Sequence, residues 1–449
     1  MRDYPHNFAG RVMSIFASVE RQGHRKIRSV LRSVLFFLSP VITSAIPKVT
    51  WLFFPLTALV LISAAVSRSR EWRQLMERNA ALIACSLVAA YIFINACWAA
   101  DPETALIKAL LLSGVVVLTF LASRAIPQAD DELLCNAAAA FAIGTFVGAL
   151  LAIFELLTDG AITRLALNSI HLFHTPNHKH VTIYEGQIIR LNPSDLNRNV
   201  AILTFNVWPA LLVLTKMESG ARRYIFSSAL LAAVIVAVFL SEHQSSQIAL
   251  IVSSLVFILA LLWRKPIIRS LAALWCLAFV LVVPAVFFAY DQQLHMANWL
   301  PSSFRARIII WEYTAERVFD HPWVGVGADS TRALKEPNTL ETAERPPGFI
   351  YPRTIGMHAH DLFLQTWFEL GVIGVVLMGF AGALVALRMS LLPFEAQPFA
   401  AAQFMAFIAI ASFGWGMWQT WLICAAALSL VYLLVAANRA TREYHFRTM

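Results

Sequence analysis

The sequence predicts an all-α polytopic membrane protein with about twelve transmembrane helices, and three observations support this prediction. Hydrophobic residues make up 59% of the 449-residue chain, and charged residues only 14%. The mean hydropathy of +0.65 is too high for a water-soluble globular protein. The hydrophobic residues are grouped in runs close to the length that a helix needs to cross a bilayer, about 20 residues. Such spans leave room for two long loops but not for a separate soluble domain.

The hydrophobic runs give the predicted spans in order along the chain. Nine precede the longest loop, at residues 33–46, 50–67, 80–98, 105–123, 133–157, 199–215, 224–240, 246–263 and 269–289. Three follow it, at residues 359–387, 397–415 and 418–437. The first run is the shortest, with Pro40 inside it and Pro47 just after it. We expect this first run to be retained, because no typical cleavage site accompanies it, and the basic segment before it to lie as a helix along the membrane face.

The distribution of basic residues predicts the orientation, because Lys and Arg in short connections resist translocation. With the N-terminus in the cytoplasm, the cytoplasmic segments collect 22 of the 35 basic residues, and the short outer connections hold only Lys48 and Lys108. Removing one span would invert every later loop and destroy this asymmetry. The predicted organisation is a cytoplasmic segment at 1–32, spans one to nine at 33–289 with an outer loop at 158–198, a large outer loop at 290–358, spans ten to twelve at 359–437 and a cytoplasmic tail at 438–449.

Arginines in the two outer loops are candidates for binding an anionic group. Arg190 and Arg198 approach the sixth span. Arg305 and Arg307 open the segment RARIIIWEYTAERVFD, whose periodicity predicts an amphipathic helix near the membrane interface. Phosphate suits a guanidinium at a lipid boundary, because it accepts two parallel hydrogen bonds. We therefore expect a lipid pyrophosphate as the ligand, and the alternative that these arginines are merely solvated stays open.

Two histidines lie where the large loop re-enters the membrane. His358 and His360, followed by Asp361, stand at the outer mouth of the tenth span. A histidine there could take the proton from an attacking sugar hydroxyl, since imidazole titrates near neutral pH. The alternative is a histidine that only caps the helix or lies at the interface. We expect no metal, because side chains at positions i and i+2 diverge on a helix and no further ligand cluster accompanies them.

A second polar string, SEHQSSQ at residues 241–247, connects spans seven and eight on the same side. It could line a sugar-binding cavity, or it could be only a tight turn, and the sequence leaves both open. Nothing in the chain resembles a Walker phosphate-binding loop. We therefore expect a reaction that needs neither ATP nor a cofactor.

These motifs together resemble the O-antigen ligase and polymerase superfamily. The large periplasmic loop of that family typically begins with an arginine four residues before a tryptophan, continues to P-x-x-G-x-G and ends in a histidine followed by Asn and a leucine. The matching residues here are Arg307 and Trp311, then Pro322, Gly325 and Gly327, then His360 and Leu364, with ELGVIG following. The segment NRNVAILTFNVWPAL, which contains Asn197 and Arg198, is similar to the family's segment after the first outer loop. The resemblance covers roughly residues 185–376.

The chain departs from the family pattern at two places. Asp361 stands where the family usually has Asn, and an acid at that position is expected to raise the pKa of His360 or to orient its ring. The string SEHQSSQ stands where the family often has Ser-Arg-Gly. The arginine expected there is therefore absent or supplied from elsewhere, and Arg190 is our candidate.

The resemblance implies a GT-C-like glycosyltransferase of the bacterial inner membrane, with its active site facing the periplasm. Its expected partners are an undecaprenyl pyrophosphate-linked O-antigen donor, a lipid A-core acceptor and membrane lipids, without nucleic acid. The candidate site residues are His360, Arg307 and Arg190 for catalysis, Arg190, Arg198, Arg305 and Arg307 for the pyrophosphate, and His358, Asp361 and Asn197 in support. An O-antigen polymerase that uses the same lipid-linked sugar is the nearer alternative, and a lipid-linked glycan transporter is the more distant one.

Overall fold

The fold is built almost entirely from long α-helices. The computed structural model describes residues 8–66, 79–169, 181–217, 219–334, 353–414 and 416–448. This part of the chain contains 14 α-helices and one two-stranded sheet. Eleven of its helical stretches are long and apolar enough to cross a membrane. The prediction of an all-α polytopic protein is therefore confirmed.

The first five helices each contain one predicted span. They are α1 (Phe8–Ala45), α2 (Thr50–Val66), α3 (Ala80–Asn95), α4 (Pro102–Ala125) and α5 (Asp131–Leu157). The helix α1 continues from the basic N-terminal segment into the first span, with Pro40 inside it. Side chains fix two of the starts, because Asn79 accepts a hydrogen bond from the amide of Leu82 and Asp101 from that of Thr104.

The first outer loop forms a short helix and a hairpin. These elements are α6 (Ala161–Ser169), β1 (Val181–Tyr184) and β2 (Gln187–Leu191), and the two strands pair antiparallel. Glu155 anchors the start of α6, since its carboxylate accepts hydrogen bonds from the amides of Ile162 at 2.7 Å and Thr163 at 3.1 Å. Arg190 lies on β2 and is exposed. The hairpin was not predicted, because its strands are only four and five residues long and their residues do not alternate between buried and exposed.

Eight helices complete the described chain. They are α7 (Asn197–Met217), α8 (Gly220–Leu240), α9 (Gln244–Leu262), α10 (Arg264–Asp291), α11 (Ser302–Val318), α12 (Leu362–Arg388), α13 (Gln397–Phe413) and α14 (Thr420–Thr448). The helix α7 is the most enclosed of the candidate spans, with 78% of its apolar window buried. The predicted span 397–415 corresponds to α13, a shorter apolar helix of 17 residues. The orientation of the termini stays a prediction.

The helix α12 is interrupted near its first third. Gly371 has φ of 63° and ψ of −167°, which no helical residue adopts. The loop that follows α11 closes on this break, because the amide of Val326 donates to the carbonyl of Phe368 and the amide of Gly327 to that of Glu369, both at 3.0 Å. The carbonyls that the break would leave without partners are therefore satisfied by another segment.

Two glycines, Gly325 of the P-x-x-G-x-G motif and Gly371 of α12, are required for this close docking. A Cβ atom on Gly325 would lie 2.3 Å from the carbonyl of Glu369, and a Cβ atom on Gly371 would lie 2.5 Å from the carbonyl of Trp323. Both glycines also have positive φ, at 69° and 63°. The motif and the ELG sequence of the span therefore form one structural unit.

Two polar side chains of α3 tie this unit to the first half of the chain. The amide of Asn95 donates to the carbonyl of Val324 at 2.9 Å, and its oxygen accepts from the amide of Ala328 at 2.6 Å. Tyr91 donates to the carbonyl of Leu370 at 2.8 Å, directly beside the break. The loop that follows α11 is thus held from two sides.

Candidate active site

The tryptophan of the R-x-x-x-W motif positions the histidine loop. The indole nitrogen of Trp311 donates a buried hydrogen bond of 2.7 Å to the carbonyl of Ala359, the residue between the two histidines. Arg307 lies one turn earlier on the same helix, α11. The spacing of the motif therefore places Trp311 where it fixes the histidine loop and Arg307 one turn away from Trp311 on the same helix.

The two histidine rings lie against each other. Their centroids are 3.9 Å apart, with an angle of 57° between the ring planes. The Nδ1 atom of His358 accepts a hydrogen bond from the backbone amide of His360 at 3.2 Å, and its Nε2 atom lies 3.2 Å from the side-chain amide of Gln419. Both ring nitrogens of His358 are thus engaged.

His360 differs from its neighbour in two ways. Its φ of 55° lies in the left-handed region, which residues other than glycine adopt uncommonly. Within the described chain, its ring nitrogens make no hydrogen bond. Residues in such conformations cluster at functional sites, where the surrounding contacts maintain them. The ring is therefore held in place while its nitrogens stay available to a ligand.

Burial and nearby positive charge lower the pKa of both histidines. Burial lowers the pKa of His358 to about 4, with further contributions from the charges of Arg332, Arg307 and Arg198. Burial likewise lowers the pKa of His360, assisted by His358 and Arg307. Three arginines from distant parts of the chain thus converge on one pair of rings, which stay neutral at physiological pH.

The expectation for Asp361 was wrong. Its carboxylate accepts hydrogen bonds from the amides of Phe363 at 2.7 Å and Leu364 at 3.0 Å, so it caps the N-terminus of α12. The first amides of a helix lack partners within the helix, and an Asp in this position supplies one. The carboxylate is committed to the helix, and the pKa of His360 is lowered instead of raised.

In the string at residues 241–247, residues 241–243 form a tight turn between α8 and α9 and residues 244–247 begin α9, beside α11. The hydroxyl of Ser303 at the start of α11 donates to the side-chain oxygen of Gln244 at 3.0 Å. Burial and the charge of Arg307 lower the pKa of His243. The structure thus has a turn at residues 241–243, close enough to Arg307 for its charge to act on His243, and the lining of a sugar-binding cavity by this string stays a prediction.

The other predicted arginines are distributed unevenly around the histidines. Arg198 and Asn197 lie at the first turn of α7, and the charge of Arg198 reaches His358. Arg305 lies two residues before Arg307 at the start of α11. Arg190 lies on the exposed strand β2 and is not among the charges that act on either histidine. Its role in the site stays a prediction.

The sequence did not predict a polar cleft that His358 lines. The residues lining it come from four separate segments and are Lys108, Asp329, Arg332, Met357, His358, Gln365, Gly416, Trp418 and Gln419. The ammonium group of Lys108 lies 3.6 Å from the carboxylate of Asp329. No local pattern joins these residues, because Lys108 and Asp329 are far apart in the chain.

The most deeply buried carboxylate of this region belongs to Glu369, which is fully buried in α12. Its carboxylate accepts hydrogen bonds from the backbone amides of Asp329 at 3.1 Å and Thr331 at 3.2 Å, the amide of Gln365 at 3.1 Å, the hydroxyl of Thr331 and the indole of Trp418. Five donors satisfy the group inside a membrane-spanning helix. Glu369 therefore fixes the wall of the cleft, and the ELG motif was the signal for it.

Within the described residues, no group of three or more His, Cys, Asp or Glu side chains is arranged to hold a metal ion. The charged groups that converge on the histidines are guanidinium groups.

The fold and this site define a multi-pass membrane protein with arginines and histidines clustered where a span begins. Residues 229–379 match the family model described as O-Antigen ligase, and this region includes the motif residues of α11 and the histidine loop. A protein of Rickettsia felis named "Putative polysaccharide ligase" is 24% identical over 352 residues, which cover 77% of this chain and 78% of that protein. Relatives of the same description in Rickettsia conorii and Rickettsia prowazekii are 23% and 24% identical, covering 71% and 78% of each chain. Residues 229–379 are thus similar to the O-antigen ligase family, and the resemblance inferred from the motifs of the sequence is confirmed. The matches support a polysaccharide ligase.

Proposed function

We propose that this chain is an O-antigen ligase, a glycosyltransferase of the bacterial inner membrane. It transfers O-antigen polysaccharide from undecaprenyl pyrophosphate to the lipid A-core oligosaccharide at the periplasmic face, with both termini in the cytoplasm. The observation that carries this proposal is the hydrogen bond from Trp311 to Ala359, which brings the guanidinium of Arg307 and two neutral histidines into one site. A pyrophosphate leaving group requires a positive charge such as the guanidinium of Arg307. A sugar hydroxyl that must lose a proton requires a neutral histidine to accept it.

The arginines bind the pyrophosphate of the lipid-linked sugar. The polyprenyl chain remains in the lipid, and its pyrophosphate meets Arg307 and Arg198, whose charges both reach His358. Arg305 and Arg190 complete the binding set from α11 and from the hairpin. Guanidinium groups suit this task, because each can donate two parallel hydrogen bonds to phosphate oxygens and cannot lose its charge.

His360 accepts the proton of the acceptor hydroxyl, and His358 positions it. Both ring nitrogens of His358 are engaged by the protein, whereas those of His360 make no hydrogen bond to the residues that the structure describes. Burial and the charge of Arg307 lower the pKa of His360, and His360 becomes a stronger base when the pyrophosphate binds, because the phosphate charge offsets that of Arg307. Substrate binding therefore prepares the base for the reaction.

The transfer is a direct displacement. The acceptor oxygen forms a bond to the anomeric carbon, the bond from that carbon to the pyrophosphate oxygen breaks, and the hydroxyl proton passes to His360. Attack from the face opposite to the leaving group inverts the anomeric centre. Arg307 neutralises the charge that develops on the leaving pyrophosphate, which is metal-independent charge stabilisation.

Two other functions compete with this proposal. An O-antigen polymerase would use the same lipid-linked sugar but transfer it to another lipid-linked glycan, so its product distinguishes it. A glycan transporter would use broken helices and ionisable groups within the membrane, as the break at Gly371 beside Glu369 suggests. That break is occupied by the loop at Gly325 and Gly327, and the carboxylate is satisfied by five protein donors, which disfavours transport.

Complementation of a ligase-deficient host tests the proposal. The host receives the wild type, His360→Ala, Arg307→Ala, Arg190→Ala or the control Lys216→Gln, which changes a surface ion pair with Glu395 at the far end of α7. Membrane levels are compared by blotting. We expect the wild type and the control to restore the long-chain lipopolysaccharide ladder, while His360→Ala and Arg307→Ala accumulate lipid-linked O-antigen.

The same experiment separates the alternatives. A wild type that fails to restore the ladder but lengthens polyprenyl-linked glycan would establish a polymerase. A restored ladder in both His360→Ala and Arg307→Ala would refute the site. Normal activity of Arg190→Ala alone would remove that arginine from the pyrophosphate site.

A further inference from the structure

The cleft beyond His358 is assembled by contacts that cross the whole chain. The ammonium group of Lys108 on α4 lies 3.6 Å from the carboxylate of Asp329 and donates to the carbonyl of Trp418 at 3.1 Å. The adjacent side chain of Gln419 contacts His358. The cleft therefore has a defined wall on three sides.

The position of Asp329 is maintained at an energetic cost. Its φ of 53° is in the left-handed region, and its backbone amide donates to the buried carboxylate of Glu369 at 3.1 Å. The side chain keeps 10% of its surface exposed toward the cleft, and Lys108 keeps 21%. A strained residue held by a buried carboxylate and facing a cleft is typical of a binding site.

The charges of the cleft fit a sugar with an anionic substituent. Arg332 is exposed at its rim, and its charge acts on both His358 and Asp329. A carboxylate such as that of Asp329 accepts hydrogen bonds from sugar hydroxyls, and the amide of Gln419 can both donate and accept. A guanidinium binds a phosphate or a carboxylate through paired hydrogen bonds.

Arg332 at the cleft and Arg307 on α11 are related differently to the two histidines. The charge of Arg307 acts on both histidines, whereas that of Arg332 acts on His358 but not on His360. His358 lines the cleft, and the ring of His360 lies directly against it, with 3.9 Å between the ring centroids. In an inverting displacement the attacking oxygen and the leaving group lie on opposite faces of the sugar. With the pyrophosphate bound by Arg307, we expect the acceptor to approach from the cleft, next to the histidine pair.

We propose that this cleft is the acceptor subsite, in which Arg332 binds an anionic group of the acceptor saccharide and Asp329 binds its hydroxyls. This inference rests on the proposed ligase function, and it adds the acceptor-binding residues to it. Lys108 positions Asp329 through their ion pair, and Glu369 positions it through the backbone.

Acceptor binding without any lipid-linked sugar tests the subsite. Full-length protein in lipid nanodiscs is titrated with lipid A-core purified from a ligase-deficient host, and with lipid A that lacks core sugars. The variants are Arg332→Gln and Asp329→Asn, because Asn tolerates the left-handed backbone while removing the charge. The control is Lys216→Gln. We expect the dissociation constant for lipid A-core to rise about tenfold in both variants and to stay unchanged in the control.

Two further arms identify the anionic group and exclude misfolding. Phosphatase-treated lipid A-core should bind the wild type more weakly if the group is a phosphate, and equally well if it is a carboxylate. Equal melting temperatures of the variants and the wild type would exclude misfolding as the cause of weaker binding. Unchanged binding in both variants, or equal loss for lipid A that lacks core sugars, would overturn the subsite.

Steady-state transfer separates this inference from the ligase function. With labelled lipid-linked O-antigen, the KM for lipid A-core should rise about tenfold in Arg332→Gln, with the KM for the lipid-linked sugar within about twofold of the wild type. A rise only in the latter KM would assign Arg332 to the pyrophosphate and refute the subsite. A wild type that binds lipid A-core through these residues but transfers nothing to it would refute the ligase and retain the subsite.

Discussion

Two polar side chains near the start of α12 are both removed from bulk water, yet their surroundings differ completely. The carboxylate of Glu369 is fully buried and accepts five hydrogen bonds from the protein. His360 has a left-handed backbone conformation. Its ring lies against that of His358 and makes no hydrogen bond within the described chain. A satisfied polar group stabilises structure, whereas an unsatisfied one at a strained position is available to a ligand.

This comparison assigns different consequences to mutation at the two positions. Loss of Glu369 should damage folding, because its five donors would lose their acceptor. Loss of His360 should damage the reaction and leave the fold intact. The predictions below follow from that division, from the largest expected effect to the smallest.

The largest effect on transfer is expected for His360→Ala. Removing a general base costs roughly 10²- to 10⁴-fold in rate, and the neighbouring loop remains fixed by Trp311 and Ala359. Transfer of labelled O-antigen to lipid A-core by purified protein, together with its melting temperature, measures both parts. A large fall in melting temperature would assign the residue to structure instead.

Replacing Arg307 by alanine should reduce turnover by about 10²-fold, because charge on the leaving pyrophosphate would lose its nearest guanidinium. Arg307→Lys keeps the charge but not the paired hydrogen-bond geometry, so it should recover only part of the activity. The rates of both variants at saturating substrate test this point. Equal rates for Arg307→Lys and the wild type would mean that charge alone is required.

For Glu369→Ala, we expect the free energy of unfolding to fall by about 2–3 kcal/mol, because the amides of Asp329 and Thr331 would be buried without an acceptor. The matched control is Glu395→Ala, which removes an exposed carboxylate paired with Lys216, and exposed pairs contribute about 0–1 kcal/mol. Melting temperatures in detergent compare the two. Equal melting temperatures would contradict the structural role of Glu369.

Much of the fold could be predicted from local sequence. Hydrophobic runs identify the spans because each must match the bilayer thickness, and the run at 397–415 identified even the short helix α13. The segment that begins at Arg305 predicted α11 through its periodicity. Such patterns depend only on neighbouring residues.

The site was harder to predict, because its contacts join residues that are distant in the chain. Asn95 and Ala328 are hydrogen-bonded across 233 positions, and no sequence pattern links Lys108 to Asp329. Asp361 was a different kind of error. An Asp directly before an apolar run is a helix N-cap signal, and this local signal is what decides the role of Asp361.

A smaller loss of activity is expected for Trp311→Phe. The phenyl ring fills much of the space of the indole but cannot donate to the carbonyl of Ala359. The histidine loop should then lose part of its fixed position, which corresponds to roughly a tenfold loss of turnover. Trp263→Phe, which changes an exposed tryptophan, is the control. Comparable losses in both variants would indicate a general effect of removing a tryptophan.

The smallest effect concerns the stability of the histidine pair at different pH. An unfolded histidine has its ordinary pKa of about 6.5, whereas burial and Arg332 lower the pKa of folded His358 to about 4. Between these values the unfolded chain binds more protons than the folded one, so the contribution of His358 to stability is fully present above pH 6.5 and falls as the pH is lowered toward 4.

The melting temperature of the wild type should therefore fall from pH 7 to pH 5, and it should fall less steeply in His358→Gln. His321→Gln, which changes an exposed histidine, should keep the wild-type slope. Equal slopes in all three proteins would mean that His358 has the same pKa in the folded and unfolded chains, which would contradict a pKa lowered by burial.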